Sequence, residues 1–202
     1  MNKRMISGIG LALALLLVAP VVASANAEEI VRQTSGEMLT ELKERKQELQ
    51  ASPGKIYALV EHIVLPRFDF ERMSQLVLGK HWPRASEGEK EAFVRAFREL
   101  LVRTYATALL NYSGQEIVYL PSHKAEDGKE VTVNTKVQAT GAPSIPINYR
   151  LYLNGEEWKV FDLSIDGVSL VSNYRSTFSS QIKRYKLSGL IERLEKRNQP
   201  GS

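Results

Sequence analysis

The chain of 202 residues contains no cysteine. Disulfides, thiolate nucleophiles and Cys-ligated metals are therefore excluded, and stability must come from packing alone. No GxxxxGK[ST] loop is present, so the chain carries no phosphate cradle and no engine of its own. The histidines show no HExxH spacing, and there is no GxSxG nucleophile elbow. After the amino-terminal apolar run no second long one follows, and the rest of the chain reads as soluble. A strong excess of one charge is also missing, with 27 Lys and Arg against 23 Asp and Glu. Two of the bases, Lys3 and Arg4, belong to the leader described next, which leaves the remainder nearly neutral. Its basic residues are scattered, so nucleic acid is not an expected partner.

Met1 to Ala27 reads as a secretory signal. Lys3 and Arg4 precede an apolar run ending near Val22, and Ala25-Asn26-Ala27 supplies small residues for cleavage. An uncleaved anchor is the alternative, since the run approaches spanning length. Pro20 and the small residues favour cleavage, because no basic stop-transfer cluster follows.

From Glu28 to about residue 111 the pattern is helical, and residues 112–198 read as a sheet followed by C-terminal helices. The first helix, to about Gln50, places Ile30, Val31, Met38, Leu42 and Leu49 on one stripe. Ser52 and Pro53 fit the start of a second. Asp69 fits the N-cap of a third, ending near Gly79. Ser86-Glu87-Gly88-Glu89 is a capping box opening a long helix through about Leu110. Strands follow at Gln115–Leu120, Lys129–Thr140, Ile145–Leu153 and from Trp158, with Asn154-Gly155 as the hairpin signal before the last. Helices then antiparallel strands then helices give an α+β fold with a curved four-stranded antiparallel sheet.

The stretch from Trp158 to Phe178 organises the whole. It runs as a strand apolar on both faces, turns at Asp166-Gly167, and becomes helical from Val168 with Val171, Tyr174, Phe178 and Ile182 at three- and four-residue steps. A shorter helix from Ser188 carries Leu190, Ile191 and Leu194. A twisted sheet curls around the helix laid over it, and a concave face left unfilled is a pocket. The expected sheet wall is Val133, Val137, Tyr149, Leu151, Val160 and Leu163. Met73, Leu76, Phe97, Leu101 and Tyr105 would face it, with Val171, Tyr174 and Phe178 closing one side. Each fits an ordinary core equally well, because periodicity does not separate a packed core from a lined cavity.

An enzyme is the competing class. Asp162 at a strand end could act as a base for an isomerase or dehydratase with an apolar pocket, or could simply hold the strand-to-helix corner. His62, His81 and His123 fall on a helix, a helix-end loop and a strand-end turn, where structural or exposed roles are expected. An adaptor that presents its charged helices to a partner is the third class.

The segments FDFERMSQLVLGKHWPRAS, FVRAFRELLVRTYATAL, INYRLYL, WKVFDLSIDGVSLVSNYRSTF and SGLIERL resemble the MlaC family over Glu28 to Leu194. The most specific parts are LGKHW, Leu78 to Trp82, and GVSLVSNYR, Gly167 to Arg175. The resemblance implies a nuclear-transport-factor-like sheet with a helical lobe around an apolar cavity. It further implies a periplasmic phospholipid carrier with no cofactor and no catalysis. Such a carrier passes lipid between a lipoprotein–porin complex of the outer membrane and an inner-membrane ABC transporter with an MCE-domain ring, which maintains outer-membrane lipid asymmetry. Physically, a diacyl lipid exposes roughly 0.8 kcal/mol for each methylene, so a soluble carrier must offer an apolar interior of comparable quality. The headgroup stays wet at the mouth, because burying an uncompensated phosphate is costly. Arg150 and Arg175 are the expected positive charges there.

Overall fold

The computed structural model describes residues 26–139, 141 and 143–199. The expected leader therefore lies, up to residue 25, outside the described residues. Helix α1 spans Ala27–Glu44 and is capped by Asn26, whose side chain accepts from the Glu29 amide at 2.8 Å. The single first helix expected to run to Gln50 is broken at Arg45 (φ −102°, ψ 17°), and α2 takes up Lys46–Ala51. Helix α3, Lys55–Leu59, starts at Gly54 rather than at Ser52, which accepts a turn bond from Lys55 instead. It runs on through a wide turn at Val60–Val64 and a tight one at Leu65–Arg67.

The next two helix starts follow their capping residues. Asp69 accepts from the Arg72 amide at 2.8 Å and opens α4, Phe70–Leu78. Ser86 and Glu89 close a reciprocal capping box that opens α5, Glu87–Tyr105, which tightens into a last turn at Ala106–Asn111. The box satisfies two backbone donors that a bare helix end leaves unpaired.

The sheet is five-stranded and antiparallel, with order β1-β2-β3-β4-β5: Glu116–Lys124, Glu130–Gln138, Ile145–Asn154, Glu157–Ile165 and Val168–Ser169. The fifth strand is one more than the sequence suggests. It is only two residues long and is joined to β4 by the Asp166-Gly167 turn, both residues at positive φ (51° and 79°). The β3–β4 turn sits one residue later than Asn154-Gly155: Asn154 pairs with Glu157, so Gly155 (φ 62°) and Glu156 are the turn residues. Gly in the first central position meets the positive φ that tight hairpins require.

The outer edge of β4 is paired at two places, which blunts it as a template for unwanted pairing. Ser164 and Ile165 pair with β5, and farther back the Asp69 amide donates to the Val160 carbonyl at 2.9 Å. Helix α6, Leu170–Arg197, leaves β5 under a Ser169 cap and breaks at Lys186 (φ 60°, ψ 177°), just before the expected short C-terminal helix.

Apolar side chains gather in three clusters. The first joins α4, α5 and α6 around Phe93, Phe97 and Phe178. The second joins α1, α2 and α3 through Met38, Leu42, Leu49 and Ile56. The third places Ala27 and Val31 of α1 on Val131, Val133, Leu151 and Val160 of the sheet. Phe68 packs against the first and third, and its ring stacks on Phe70, 5.9 Å between centroids. Phe93→Ala is expected to lower unfolding free energy by about 3–5 kcal/mol, since it empties a fully buried site. Ser86→Ala should cost only about 1 kcal/mol, and urea denaturation of the two variants measures the difference.

Candidate functional site

Strand pairing brings one apolar face together. Val131, Val133, Thr135 and Val137 on β2 stand opposite Leu151, Tyr149, Ile147 and Ile145 on β3. Tyr119 and Ile117 of β1 extend the row on one side, and Val160 and Leu163 of β4 on the other. Side chains two apart share a sheet face, so these residues form one continuous surface. The six sheet positions expected as wall all lie on it.

Helix α1 runs along this surface beside β1. Glu28 accepts from the Ser122 hydroxyl at 3.1 Å, Ser35 and Tyr119 share a hydroxyl hydrogen bond of 2.6 Å, and Arg32 lies 3.8 Å over the Tyr119 ring. Coverage is complete at one end, where Val133 and Leu151 are fully buried. Toward the other end it thins: Ile117, Val137, Ile147, Tyr149 and Leu163 are only partly buried, and Ile145 is 48 % exposed.

At that thinner end, where the last turns of α1 diverge from β1, lies a groove of about 710 Å³. Leu39, Lys43 and Lys46 line one side, and Tyr112 to Ile117 line the other. Ile117 pairs with Val137, so the groove leads onto the apolar face. It is an open surface groove and not an enclosed cavity. A second crevice of about 10 Å³ shares Lys46 and Tyr112 and points toward Leu42 and Leu49. The sequence reading did not single out Leu39, Lys43, Lys46, Tyr112 or Ile117. The alternation Ile117–Tyr119 marks the right face, whereas nothing in a charged helix end marks the two lysines.

The expected facing residues sit elsewhere. Met73, Phe97, Leu101, Val171 and Phe178 are buried in the α4–α5–α6 cluster, with Leu76, Tyr105 and Tyr174 packed against it, and Leu163 of the sheet face reaches the same cluster. Their aromatic rings meet closely, Phe97 to Tyr174 and Tyr174 to Phe178 both at 5.3 Å between centroids. Most of the sheet members and the helix members thus pack in two adjoining clusters, which meet at Leu163 and Phe68.

Asp162 points to the opposite side of the sheet, and its oxygens are occupied. Oδ1 accepts from the amides of Leu163 (2.9 Å) and Val171 (3.1 Å), and Oδ2 accepts from the Ser169 hydroxyl (2.7 Å). It holds the corner between β4, β5 and α6. Arg150 shares that opposite side, reaching Glu130 at 3.3 Å and Asp162 at 3.9 Å, with Phe161 under its guanidinium at 4.7 Å. Arg72 completes the cluster, 2.8 Å from Glu130 and 3.8 Å over the Tyr152 ring. Arg175 lies over Gly79, where a Cβ would come within 3.0 Å of its guanidinium. Neither arginine lines the groove.

His62 and His123 are exposed. His81 has a buried Nε2 without a hydrogen-bond partner among the described residues. Burial lowers its pKa, and Lys80, Arg84 and Lys183 push the same way. No group of three or more His, Asp or Glu among the described residues is arranged to hold a metal. No helix among them is long and apolar enough to cross a membrane.

On the apolar face, burial pushes the Tyr149 hydroxyl up from 10.0 to about 12, with Tyr119 adding to the shift and Thr135 opposing it. Burial likewise raises Tyr105 to about 12. A folded-state value above the unfolded one means stability is complete below pH 10 and declines as pH rises toward 12. Tyr149→Phe should flatten part of that alkaline decline and leave the share due to Tyr105, as read from unfolding midpoints across the window. Asp162→Ala should cost roughly 1–3 kcal/mol for each buried donor it leaves unpaired, measured by thermal denaturation.

Residues 32–196 match the family described as MlaC protein. The chain is 30 % identical over 175 residues to the toluene tolerance protein ttg2D of Pseudomonas putida, covering 85 % of this chain and 81 % of that one. It is 23 % identical over 185 residues to the intermembrane phospholipid transport system binding protein MlaC of Haemophilus influenzae, covering 90 % and 86 %. Among solved structures, a phospholipid-binding protein of Ralstonia solanacearum in complex with a phospholipid superposes with a TM-score of 0.79. That match has 31 % identity and covers 86 % of this chain and 97 % of the other.

Proposed function

The chain belongs to the MlaC family, and from that premise we propose that it is a phospholipid carrier which holds acyl chains on the apolar face of its sheet. The observation that carries this reading is the groove between α1 and β1, which opens onto an apolar face only partly covered by helices. A hydrocarbon chain entering there meets Ile117 and Val137 first, then Tyr149 and Leu163, and at full depth Val133, Leu151 and Val160. Room for two chains comes from parting the sheet cluster from the helix cluster, which brings Met73, Leu76, Phe97, Leu101, Tyr105, Val171, Tyr174 and Phe178 into the wall. Phe68, which packs against both clusters, bridges the line along which they would part.

The energetics suit a shuttle. Each methylene moved from bilayer to protein exchanges one apolar environment for another, so the term of roughly 0.8 kcal/mol per methylene that opposes escape into water nearly cancels. Loading and release are then both within reach, and direction is set by the complexes on either side. In this reading the carrier works in the periplasm after removal of its leader. It receives or delivers lipid at a lipoprotein–porin complex in the outer membrane and an ABC transporter with an MCE-domain ring in the inner membrane. Catalysis has no part in it: the one carboxylate the sequence offers as a base, Asp162, faces away from the groove and is held by three donors.

The test is mass spectrometry of organic extracts of the purified protein, together with phospholipid transfer between liposomes. Co-purified phospholipid and protein-dependent transfer are expected. Val137→Trp should reduce lipid occupancy with little change in melting temperature, because the side chain projects into ligand space. A tightly filled site would instead lose roughly 1–3 kcal/mol of stability through overpacking. Unchanged occupancy with a marked fall in melting temperature would overturn the reading.

A further inference from the structure

We propose that Lys43 and Lys46 seat the phosphate of a bound phospholipid at the mouth of the groove, an inference that rests on the carrier reading. Lys43 stands in the last turn of α1 and Lys46 opens α2. The non-helical backbone at Arg45 between them re-aims the chain, so that both line the same groove. An unbroken helix also carries residues three apart on neighbouring positions, but the break sets them at the point where the helix leaves the sheet.

Two of the neighbouring acids, Glu41 and Glu48, are already taken, while Glu44 beside Lys43 is exposed. Arg45 holds Glu41 at 3.2 Å and Glu48 at 2.7 Å, and Lys55 reaches Glu48 at 2.8 Å. Lys43 and Lys46 enter no ion pair among the described residues. The groove lining contains one carboxylate, Glu116, against these two ammonium groups, so its net charge is positive. Both lysines are exposed, while Leu39 and Ile117 beside them are partly buried and apolar. Charge at the solvent side and hydrocarbon at the inner side reproduce the order of a phospholipid from headgroup to tail.

Two flexible ammonium groups donate charge-assisted hydrogen bonds to a phosphate without taking it out of water, which avoids the cost of burying an anion. Free inorganic phosphate offers the same oxygens, but it leaves Leu39 and Ile117 without a partner. Placing the headgroup here moves it from Arg150, which is engaged with Glu130 and Asp162 on the opposite side of the sheet, and from Arg175, which lies over Gly79.

The experiment incubates the full chain with liposomes containing phosphatidylglycerol and diacylglycerol with the same acyl chains, re-isolates the protein, and counts retained lipid by native mass spectrometry. Lys43→Ala/Lys46→Ala should retain roughly three- to ten-fold less phosphatidylglycerol, the range for losing two exposed charge pairs, with diacylglycerol unchanged. Lys43→Arg/Lys46→Arg should keep both lipids, and the phosphatidylglycerol effect should shrink at high salt. Equal loss of both lipids, or no loss, overturns the headgroup assignment while leaving the carrier reading standing. A wild-type chain that retains neither lipid overturns the carrier reading and this inference with it. Calorimetry with inorganic phosphate supplies the last arm. Heat that disappears in the alanine variant, with phosphatidylglycerol retention unaffected, assigns the lysines to free phosphate and overturns the lipid seat.

Discussion

The carboxylate of Asp162 is the constraint on which the arrangement of helices over sheet depends. Opposite it, Arg150 pairs with Asp162 while Leu151 pairs with Val160, so Phe161 is an extra residue in β4. Such a bulge bends a strand and increases its local twist. The turned strand presents Asp162 to the first turn of α6, where it accepts from the Val171 amide and the Ser169 hydroxyl. A carboxylate only 3 % exposed is tolerable when donors surround it, and in exchange it specifies where α6 begins and in which direction it leaves. Val171, Tyr174 and Phe178 then fall on Phe97, and the helical lobe assembles on that contact.

The interior that results is divided. Close-packed aromatic contacts give the α4–α5–α6 cluster the rigidity of a solid core. The sheet face, by contrast, has a single helix lying along its β1 side, and α1 covers it well only near its own start. A carrier requires this asymmetry: a lobe that keeps its shape and a surface whose cover can yield. The MlaC family assignment and the fold shared with a phospholipid-bound relative agree with a lipid-binding role, and the groove opens beside the less covered part of the sheet face.

Much of the fold was legible from capping chemistry and alternation. Asp69 and the Ser86–Glu89 box mark their helix starts because a side chain must satisfy the free amides there. The break at Arg45 was hidden, since an apolar stripe continues through Leu42 and Leu49 on both sides of it. β5 was missed because two residues carry no period. Alternation puts the sheet half of the expected wall on one face, as the strand pairing has it, but alternation names a face and not the body opposite it, and the helix half packs in a neighbouring cluster. Parity alone would have turned Arg150 away from Tyr149 and Leu151, its neighbours on either side. The lysines of the groove could not be told from a solvated face, because nothing in one dimension shows that Arg45 and Lys55 engage Glu41 and Glu48.

The break in α6 at Lys186 gives that helix two attachments. Its first turn is tied to the sheet at Asp162. Beyond the break, Leu190, Ile191 and Leu194 sink into the α4–α5 cluster, and the Asn198 amide donates to the Ala96 carbonyl at 2.8 Å. α6 is therefore fixed at its start by the sheet and along its length, before and beyond the break, by the helical cluster. The Lys186 turn lets one helix lay two differently directed segments on α5, so the same core is gripped from both sides of the bend.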